Sequence, residues 1–414
     1  MMNKLLVLLV SALCMGGLTS CDREQVYKPE DNPYKSLSLN TRQAGYVSEG
    51  TAFSLSFLNE IQKSSDKDYV ISPLSMQFLL GMILDGARGE TADQICNLLG
   101  YGAGEINEVN EYCRTMLDQL PKLDKCTKLA LANAIIVDDG WPLLSSYKKD
   151  VTKYYDAEVS NLDFSKTKES AAAINKWCSD HTEGLIPKIL DETDPNMLAY
   201  LLNALYFKSK WSSPFVKSLS AKEDFTYANG KVGKVKMMKA DREIAYMSNA
   251  FCSGVKLPYG NGAFSMMVLR PADGKNPTDV TEWLVANSWD KVRGSFRERT
   301  VDLWLPSFET KFHINLNDIL SAMGMPDSFD PVKADFRNMS EYALCLSFVN
   351  QDAIIKVDED GTEAAAISSA GMYKNTSVAV PEPPVVFHAD KPFIYLITEN
   401  STGAILFAGR YSAE

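Results

Sequence analysis

The chain has 414 residues and a formal net charge of -11, with 45% hydrophobic and 10% aromatic residues. This composition can bury a large core and excludes a disordered or fibrous protein. The acidic balance argues against nucleic-acid binding, which needs a basic face. The one basic cluster, residues 231–239, alternates lysines with apolar residues and is typical of a solvated strand.

The first twenty residues have the pattern of an export signal. Lys4 is followed by an apolar run over residues 5–13 and then by small residues. The run is too short to span a membrane. We therefore predict a signal peptide over residues 1–20 and an exported protein.

The residues that follow resemble the attachment region of a bacterial lipoprotein. The tripeptide LTS precedes Cys21, as in a lipobox, which implies that Cys21 becomes the lipidated first residue of the mature chain. Residues 21–45 are polar and contain two prolines, as suits a tether. We expect a lipid anchor in the cell envelope, periplasmic or on the cell surface, or an extracellular protein, with one domain over residues 46–414.

Six further cysteines show no metal or redox spacing. None forms a CxxC pair, and several have apolar neighbours, so we expect few or no disulfides. They are Cys96, Cys113, Cys126, Cys178, Cys252 and Cys345.

The first half of the domain is mainly helical by pattern. Residues 48–65 place apolar side chains on one helical face, with Ser48 or Thr51 as the cap. A second helix begins after Ser72, because Pro73 suits the first helical position, and breaks at Gly86.

Strands dominate the second half. Two long apolar runs suit a sheet covered on both faces, and the C-terminal segment contains an Asn-Ser-Thr-Gly turn typical of a hairpin. The strand-like runs are 129–139, 197–211, 299–309, 345–359 and 391–411. Helices first and strands later, without regular alternation, predict an α+β fold.

The sequence lacks the constellations of an enzyme. It has no G-x-S-x-G, H-E-x-x-H or G-x-x-x-x-G-K-[ST] motif. Its three histidines, His181, His313 and His388, lie near predicted element boundaries and are typical of surface or capping residues. We predict no enzyme activity, no metal site and no cofactor.

One segment fits no ordinary element. Residues 357–384 begin like a buried strand and continue through a glycine and a block of alanines to a long, nearly uncharged stretch that ends in prolines. It has no apolar stripe for a helix and no charge bias typical of a linker.

Eight motifs in order resemble the serpins, over about residues 48 to 412. They are ISPLSMQFLLGMILDGARGETADQI, LANAIIVDDG, INKWCSDHTEGLIPKIL, LLNALYFKSKW, VDLWLPSFE, FDPVKADF, DEDGTEAAA and KPFIYLITENSTGAILFAGR. The resemblance implies helices packed around three β-sheets. It also implies an exposed reactive-centre loop, about residues 359–384, that can insert into the large central sheet as a further strand.

The composition of the hinge fits insertion. A strand entering a buried sheet turns alternate side chains inward, where a charge would cost several kcal/mol. The inward set would be Thr362, Ala364, Ala366, Ser368 and Ala370, all small and uncharged, with Met372 next. Gly361 would be the pivot. The predicted hinge comprises Glu359, Asp360, Gly361, Thr362, Glu363, Ala364, Ala365 and Ala366.

The family mechanism is that of a suicide substrate. A protease attacks the loop with its Ser or Cys nucleophile and forms an acyl-enzyme. The cleaved loop inserts, and the displaced protease cannot deacylate. The resemblance therefore implies an irreversible inhibitor of serine, and also cysteine, endopeptidases, which works as a monomer from a metastable native state.

Four bonds are candidates for cleavage. Family spacing counted from Glu359 puts the bond after Asn375. Lys374 would suit a trypsin-like protease, Tyr373 a chymotrypsin-like one and Met372 an elastase-like one. We favour Lys374, then Tyr373. The loop is a few residues longer before Val385 than in many relatives. Counting back from Val385 therefore places the cleaved bond differently from counting forward from Glu359.

Further positions carry over from the family. Ser72, Ser75 and Asn203 match the shutter, where the sheet parts, and Trp211 matches the breach, where insertion begins. The sequence departs at Gln351, where the family usually has a histidine. Glutamine both donates and accepts hydrogen bonds, so the network can persist.

A second hypothesis is a non-inhibitory protein of the same fold. Its loop would be cleaved as a substrate without trapping the enzyme, or the protein would act as a binding module. Bulky, charged or proline residues in the hinge favour that class, and this hinge has none at its inward positions.

Overall fold

The structure is a computed structural model that describes residues 31–65, 67–362 and 383–413. Several predictions lie outside these residues and stay predictions. They concern the signal peptide, Cys21, the hinge residues Glu363 to Ala366, and the candidate cleavage positions Met372 to Asn375.

The helices of the described residues lie mostly in the first half of the chain, as the sequence predicts. They are α1 (Thr41–Ser64), α2 (Pro73–Gly86), α3 (Gly89–Leu99), α4 (Ile106–Gln119), α5 (Ser145–Tyr155), α6 (Thr167–His181), α7 (Pro277–Ala286), α8 (Trp289–Arg293) and α9 (Asn317–Met323).

Strands follow and outnumber the helices in the second half. They are β1 (Tyr69–Ile71), β2 (Thr127–Asp138), β3 (Glu158–Leu162), β4 (Ala199–Lys210), β5 (Ala221–Thr226), β6 (Val232–Ser248), β7 (Cys252–Tyr259), β8 (Phe264–Pro271), β9 (Arg297–Pro306), β10 (Phe308–Asn315), β11 (Asn350–Val357), β12 (Gly361–Thr362), β13 (Val385–His388), β14 (Phe393–Glu399) and β15 (Ile405–Tyr411).

The strands form two hydrogen-bonded sheets. A six-stranded sheet has the order β10-β11-β12-β4-β2-β3. The other has the order β1-β15-β14-β8-β7-β6-β9-β13, with β5 also paired to β6. The α+β prediction is confirmed. The three predicted sheets appear as two because the long strand β6 pairs with β9 on one side and with β7 near its end, which joins the second and third sheets.

Helix α2 links the two sheets. It contacts both β4 of the six-stranded sheet and β15 of the nine-stranded sheet. Thirteen of its fourteen residues are buried, so this helix has no solvent face and lies within the core. The core therefore sits between the sheets.

The start of α1 differs from the prediction. The cap is Asn40, not Ser48 or Thr51. The Asn40 side chain accepts from the backbone amide of Gln43 at 2.9 Å, and the Gln43 side-chain oxygen accepts from the backbone amide of Asn40. This capping box satisfies two otherwise unpaired donors. The helix begins within the predicted tether of residues 21–45, and residues 31–40 already pack on the domain.

The second predicted helix is confirmed. Ser72 caps α2 by accepting from the amide of Ser75 at 3.2 Å, Pro73 holds the first position, and the helix ends at Gly86. The C-terminal hairpin is also confirmed, since β14 and β15 pair antiparallel.

All six predicted mature cysteines carry free thiols in the structure. Burial raises the pKa of Cys96 to about 11 and of Cys113 to about 12, as expected for small core residues. No helix in the described part of the chain is long and apolar enough to cross a membrane.

Candidate functional site

The described part of the predicted hinge, residues 359–362, enters the six-stranded sheet at Gly361 and Thr362. Strand β12 is antiparallel to both neighbours: Thr362 is opposite Ser209 of β4 and Val357 of β11, and Gly361 is opposite Lys210. Thr362 is buried, at 2% exposure. The first two residues of a further strand are thus already placed between β4 and β11.

Gly361 is required by a close approach of two backbones. A Cβ added there would lie 2.1 Å from the carbonyl oxygen of Ser209 and 2.7 Å from the Cα of Lys210. Backbone atoms in a sheet cannot move aside as a side chain can. Only glycine therefore fits where the chain enters the sheet.

The turn before Gly361 is held by hydrogen bonds to its backbone carbonyls. The amide of Trp211 donates to the Asp360 carbonyl at 2.9 Å, and its indole N–H donates to the Asp358 carbonyl at 2.9 Å. The amide of Phe215 donates to the Glu359 carbonyl at 2.8 Å. The carbonyls of residues 358–360 thus accept from one short segment, which places the predicted breach residue Trp211 directly against the start of the hinge.

Tyr259 connects Trp211 to the first inserted side chain. Its ring stacks on the indole of Trp211 with centroids 4.4 Å apart, and its hydroxyl lies 2.5 Å from the Thr362 hydroxyl. Burial raises the pKa of Tyr259 well above its usual value, so the phenol stays protonated and able to donate.

Two buried hinge carboxylates are paired with lysines. Glu359 lies 2.6 Å from Lys236 and Asp360 lies 2.7 Å from Lys217. Burial favours a raised pKa for Glu359, but the hydrogen bonds and charge of Lys236, together with hydrogen bonds from Ser220 and the backbone, leave the pKa lowered. Burial raises the pKa of the adjacent Asp358. The hinge thus enters the sheet with its charges neutralised from outside.

Lysines of the basic cluster, residues 231–239, form ion pairs with carboxylates of the same chain. Lys234 pairs with Asp224 at 2.9 Å, and Lys239 pairs with Glu223. Because Lys236 pairs with the hinge, three lysines of the cluster meet carboxylates. This agrees with the strand interpretation and adds one role that the sequence did not reveal.

Beyond β12 the neighbouring strands stand apart. Among the described residues no ladder pair joins β4 directly to β11. A cavity of about 330 Å³ is lined by residues 199–204 of β4, residues 350–352 of β11 and the face of α2 that includes Ser75. The arrangement can admit further strand residues between β4 and β11.

The predicted shutter residues fall into two groups. On the α2 side, Gln351 accepts from the Ser72 amide at 3.1 Å and donates to the Ser72 carbonyl at 2.9 Å. The Ser72 hydroxyl donates to the Leu406 carbonyl and accepts from the Ser75 amide. Gln351, at the position predicted to depart from the family's histidine, thus connects β11 to the start of α2.

Asn203 lies on the other side of the cavity. Its side-chain N–H donates to the Asn133 amide oxygen at 2.6 Å, and Asn133 donates to the Tyr155 carbonyl. The Oδ1 atom of Asn203 is buried and has no hydrogen-bond partner in the described residues. Asn203 and Gln351 both line the cavity but are not bonded to each other.

Sequence reasoning missed four residues that hold the hinge: Lys217, Lys236, Phe215 and Tyr259. All four are distant from the hinge in sequence, and only the tertiary structure brings them next to it. The nearest signal was the lysine cluster, which nothing in the sequence connects to Glu359.

The three histidines occupy separate elements, namely α6, β10 and β13. Each lies beside a carboxylate: His181 beside Glu158, His313 beside Asp352, and His388 beside Asp302. They do not converge on one site.

The comparisons with known proteins agree with this geometry. The family model described as Serpin (serine protease inhibitor) matches residues 48–413. Serpin B6 of Macaca fascicularis is 31% identical over 370 residues, covering 87% of this chain and 97% of the relative. The serine protease inhibitor of Cyanea capillata is 33% identical, covering 86% and 94%.

A solved structure of the thermophilic serpin tengpin in the native state superposes with a TM-score of 0.81 at 27% identity, covering 92% of this chain and 97% of that one. The chain therefore belongs to the serpin family, as the motifs implied. Members of this family are generally protease inhibitors and not enzymes.

Proposed function

We propose that this serpin is an irreversible suicide-substrate inhibitor of serine endopeptidases, and of cysteine endopeptidases with a matching specificity. The observation that carries the proposal is the position of Thr362, already buried between β4 and β11. The next residues of the loop need only continue that register to become a full strand. One chain supplies both loop and sheet, so the inhibitor acts as a monomer.

The register predicts favourable partners for the first residue to follow. Glu363 would come opposite Lys208 of β4 and Lys356 of β11, one position beyond Thr362 in each ladder. Lys356 is exposed and Lys208 half-buried. The only charged residue between 361 and 373 would thus lie between two lysines on the more exposed face.

The same register reaches the shutter six residues beyond Thr362. Ser368 would come opposite Asn203 of β4 and Gln351 of β11. Asn203 has the unpartnered Oδ1 described above, and a serine hydroxyl is a suitable donor. Insertion would therefore supply a hydrogen bond that the described residues lack, which favours the inserted state.

The chemistry belongs to the target protease. Its Ser or Cys nucleophile attacks the carbonyl carbon of the scissile residue, the peptide C–N bond breaks, and the new amine leaves with a proton. The loop remains joined to the protease as an ester or thioester. Insertion between β4 and β11 must outrun hydrolysis of that acyl bond, so inhibition is a competition between two rates.

The test mixes the purified protein with trypsin, chymotrypsin, elastase and a papain-like protease. We expect a complex that survives denaturing electrophoresis and, from trypsin, a released C-terminal peptide that starts at Asn375, because Lys374 fits a trypsin-like pocket. The Lys374→Ala variant should lose the trypsin complex at least tenfold, on the order of one lost specificity contact. A Lys311→Ala variant, which removes an exposed lysine elsewhere, is the control.

Other outcomes have defined meanings. A peptide that starts after Met372, Tyr373 or Asn375 would move the bond and keep the mechanism. Cleavage that leaves the protease active, with no stable complex, would reject inhibition in favour of the second candidate, a serpin-fold substrate or binding protein.

The proposed location is the cell envelope, by a lipid on Cys21. The support is the LTS-Cys21 sequence after a signal-like run. A Cys21→Ser variant should move from the membrane fraction to the soluble fraction of the producing cell, because one diacylated cysteine provides most of the membrane affinity. Equal membrane recovery of both proteins would contradict the anchor.

A further inference from the structure

Residues 31–39, which precede α1, pack on the domain. We call residues 31–39 the strap. Asn32 is 7% exposed and Leu37 is 9% exposed. The Leu37 amide donates to the Ser401 hydroxyl at 3.1 Å. A polar segment that buries an asparagine side chain at one end has a specific partner there.

The partner of Asn32 is the carboxylate of Asp124. The Asn32 side-chain N–H donates to Asp124 Oδ1 at 2.7 Å, and both groups are buried. The Asn32 amide oxygen accepts from the amide of Lys125 at 3.0 Å and from the side chain of Asn261 at 3.4 Å. Asn32 thus uses both its donor and its acceptor.

A first series of contacts connects Asp124 to the hinge across the six-stranded sheet. Its Oδ2 accepts from the Thr127 hydroxyl at 2.7 Å, and that hydroxyl lies 2.7 Å from the Ser209 hydroxyl. Ser209 is opposite Thr362 in the β4–β12 ladder. Three strands side by side therefore connect a buried carboxylate to the first inserted residue.

A second path runs through the turn after β7. The Asn261 amide also lies 3.4 Å from Asp124 Oδ2, and a Cβ on Gly260 would collide with that carboxylate. The preceding residue is Tyr259, whose hydroxyl meets the Thr362 hydroxyl. Both paths begin at Asp124 and end at Thr362, and Asn32 supplies one of the donors that hold Asp124.

We propose that the strap holds the hinge in place through Asp124, so that its release loosens Thr362 and eases movement of β12. A cut in the strap, or a pull on the chain before it, would then act on the hinge without contact to the loop. The inference concerns hinge motion and does not require that the protein traps a protease.

The test is amide hydrogen exchange of the intact protein without any protease. Asn32→Ala should speed exchange in peptides that contain the Trp211 and Phe215 amides, which donate to the hinge carbonyls, by about fivefold or more. Lys35→Ala is the matched control, because Lys35 lies in the strap but, among the described residues, its exposed ammonium donates to the Lys122 carbonyl and not to Asp124. It should leave the hinge unchanged.

Strands β14 and β15 provide the internal reference for global destabilisation. Faster exchange at the hinge with unchanged exchange in β14 and β15 supports the coupling. Equal acceleration everywhere, or the same hinge exchange in both variants, would overturn it and leave the strap a merely structural element. Loss of inhibition is a separate measurement and decides only the proposed function.

Discussion

Replacing Ala364 with arginine should convert the proposed inhibitor into a substrate. Continued from Thr362, the register puts residue 364 opposite Phe207 and Ile355, both buried in the core. A guanidinium there would be buried without a partner. Each increment of about 1.36 kcal/mol in the insertion barrier slows insertion about tenfold, so deacylation should win. Denaturing gels should show cleaved chain and active protease.

Ala365→Arg is the matched control. Residue 365 would face the opposite side of the sheet, between the half-buried Ile354 and the buried Tyr206, on the face that also carries the half-buried Lys208 and the exposed Lys356. From that face an arginine can extend its charge to solvent along its aliphatic stem. The control should keep most of the stable complex. If both variants trap protease equally well, residue 364 does not enter the sheet in this register.

Replacing Gly361 with alanine should displace β12 from the sheet. The added Cβ would meet the Ser209 carbonyl oxygen at 2.1 Å, and neither backbone can yield without breaking its pairing. We expect a loss of about 3 kcal/mol in the free energy of unfolding, as for an overpacked core position. Exchange of the Trp211 and Phe215 amides should also rise, because their acceptors are the hinge carbonyls.

Gly230→Ala is the control that separates the steric clash at Gly361 from the backbone cost of replacing any left-handed glycine. Gly230 has φ of +79°, and no atom lies within 4 Å of an added Cβ. Its substitution should cost only about 1 kcal/mol, the left-handed backbone penalty, and leave the hinge amides unchanged. Equal losses in the two variants, with no change at Trp211, would show that the close approach at Gly361 is not rigid.

Local patterns in the sequence determined the class of this protein. The apolar face of residues 48–65, the Ser72-Pro73 helix start and the C-terminal hairpin are set by periodicity and turn chemistry, which act over a few residues. The small side chains alternating from Thr362 likewise identify a segment that can be buried as a strand. Ordered motifs along the chain then sufficed to indicate the family.

The tertiary structure decided which distant residues meet. Nothing near Glu359 or Asp360 in the sequence indicates Lys236 and Lys217, and no local pattern joins Asn32 to Asp124. The cap of α1 is Asn40 and not the predicted Ser48 or Thr51, because the strap packs on the domain before the residue where composition predicts the domain to begin. Such contacts depend on how the sheets and the strap pack, and the physical reason is that long-range pairings leave no periodic trace in a single sequence.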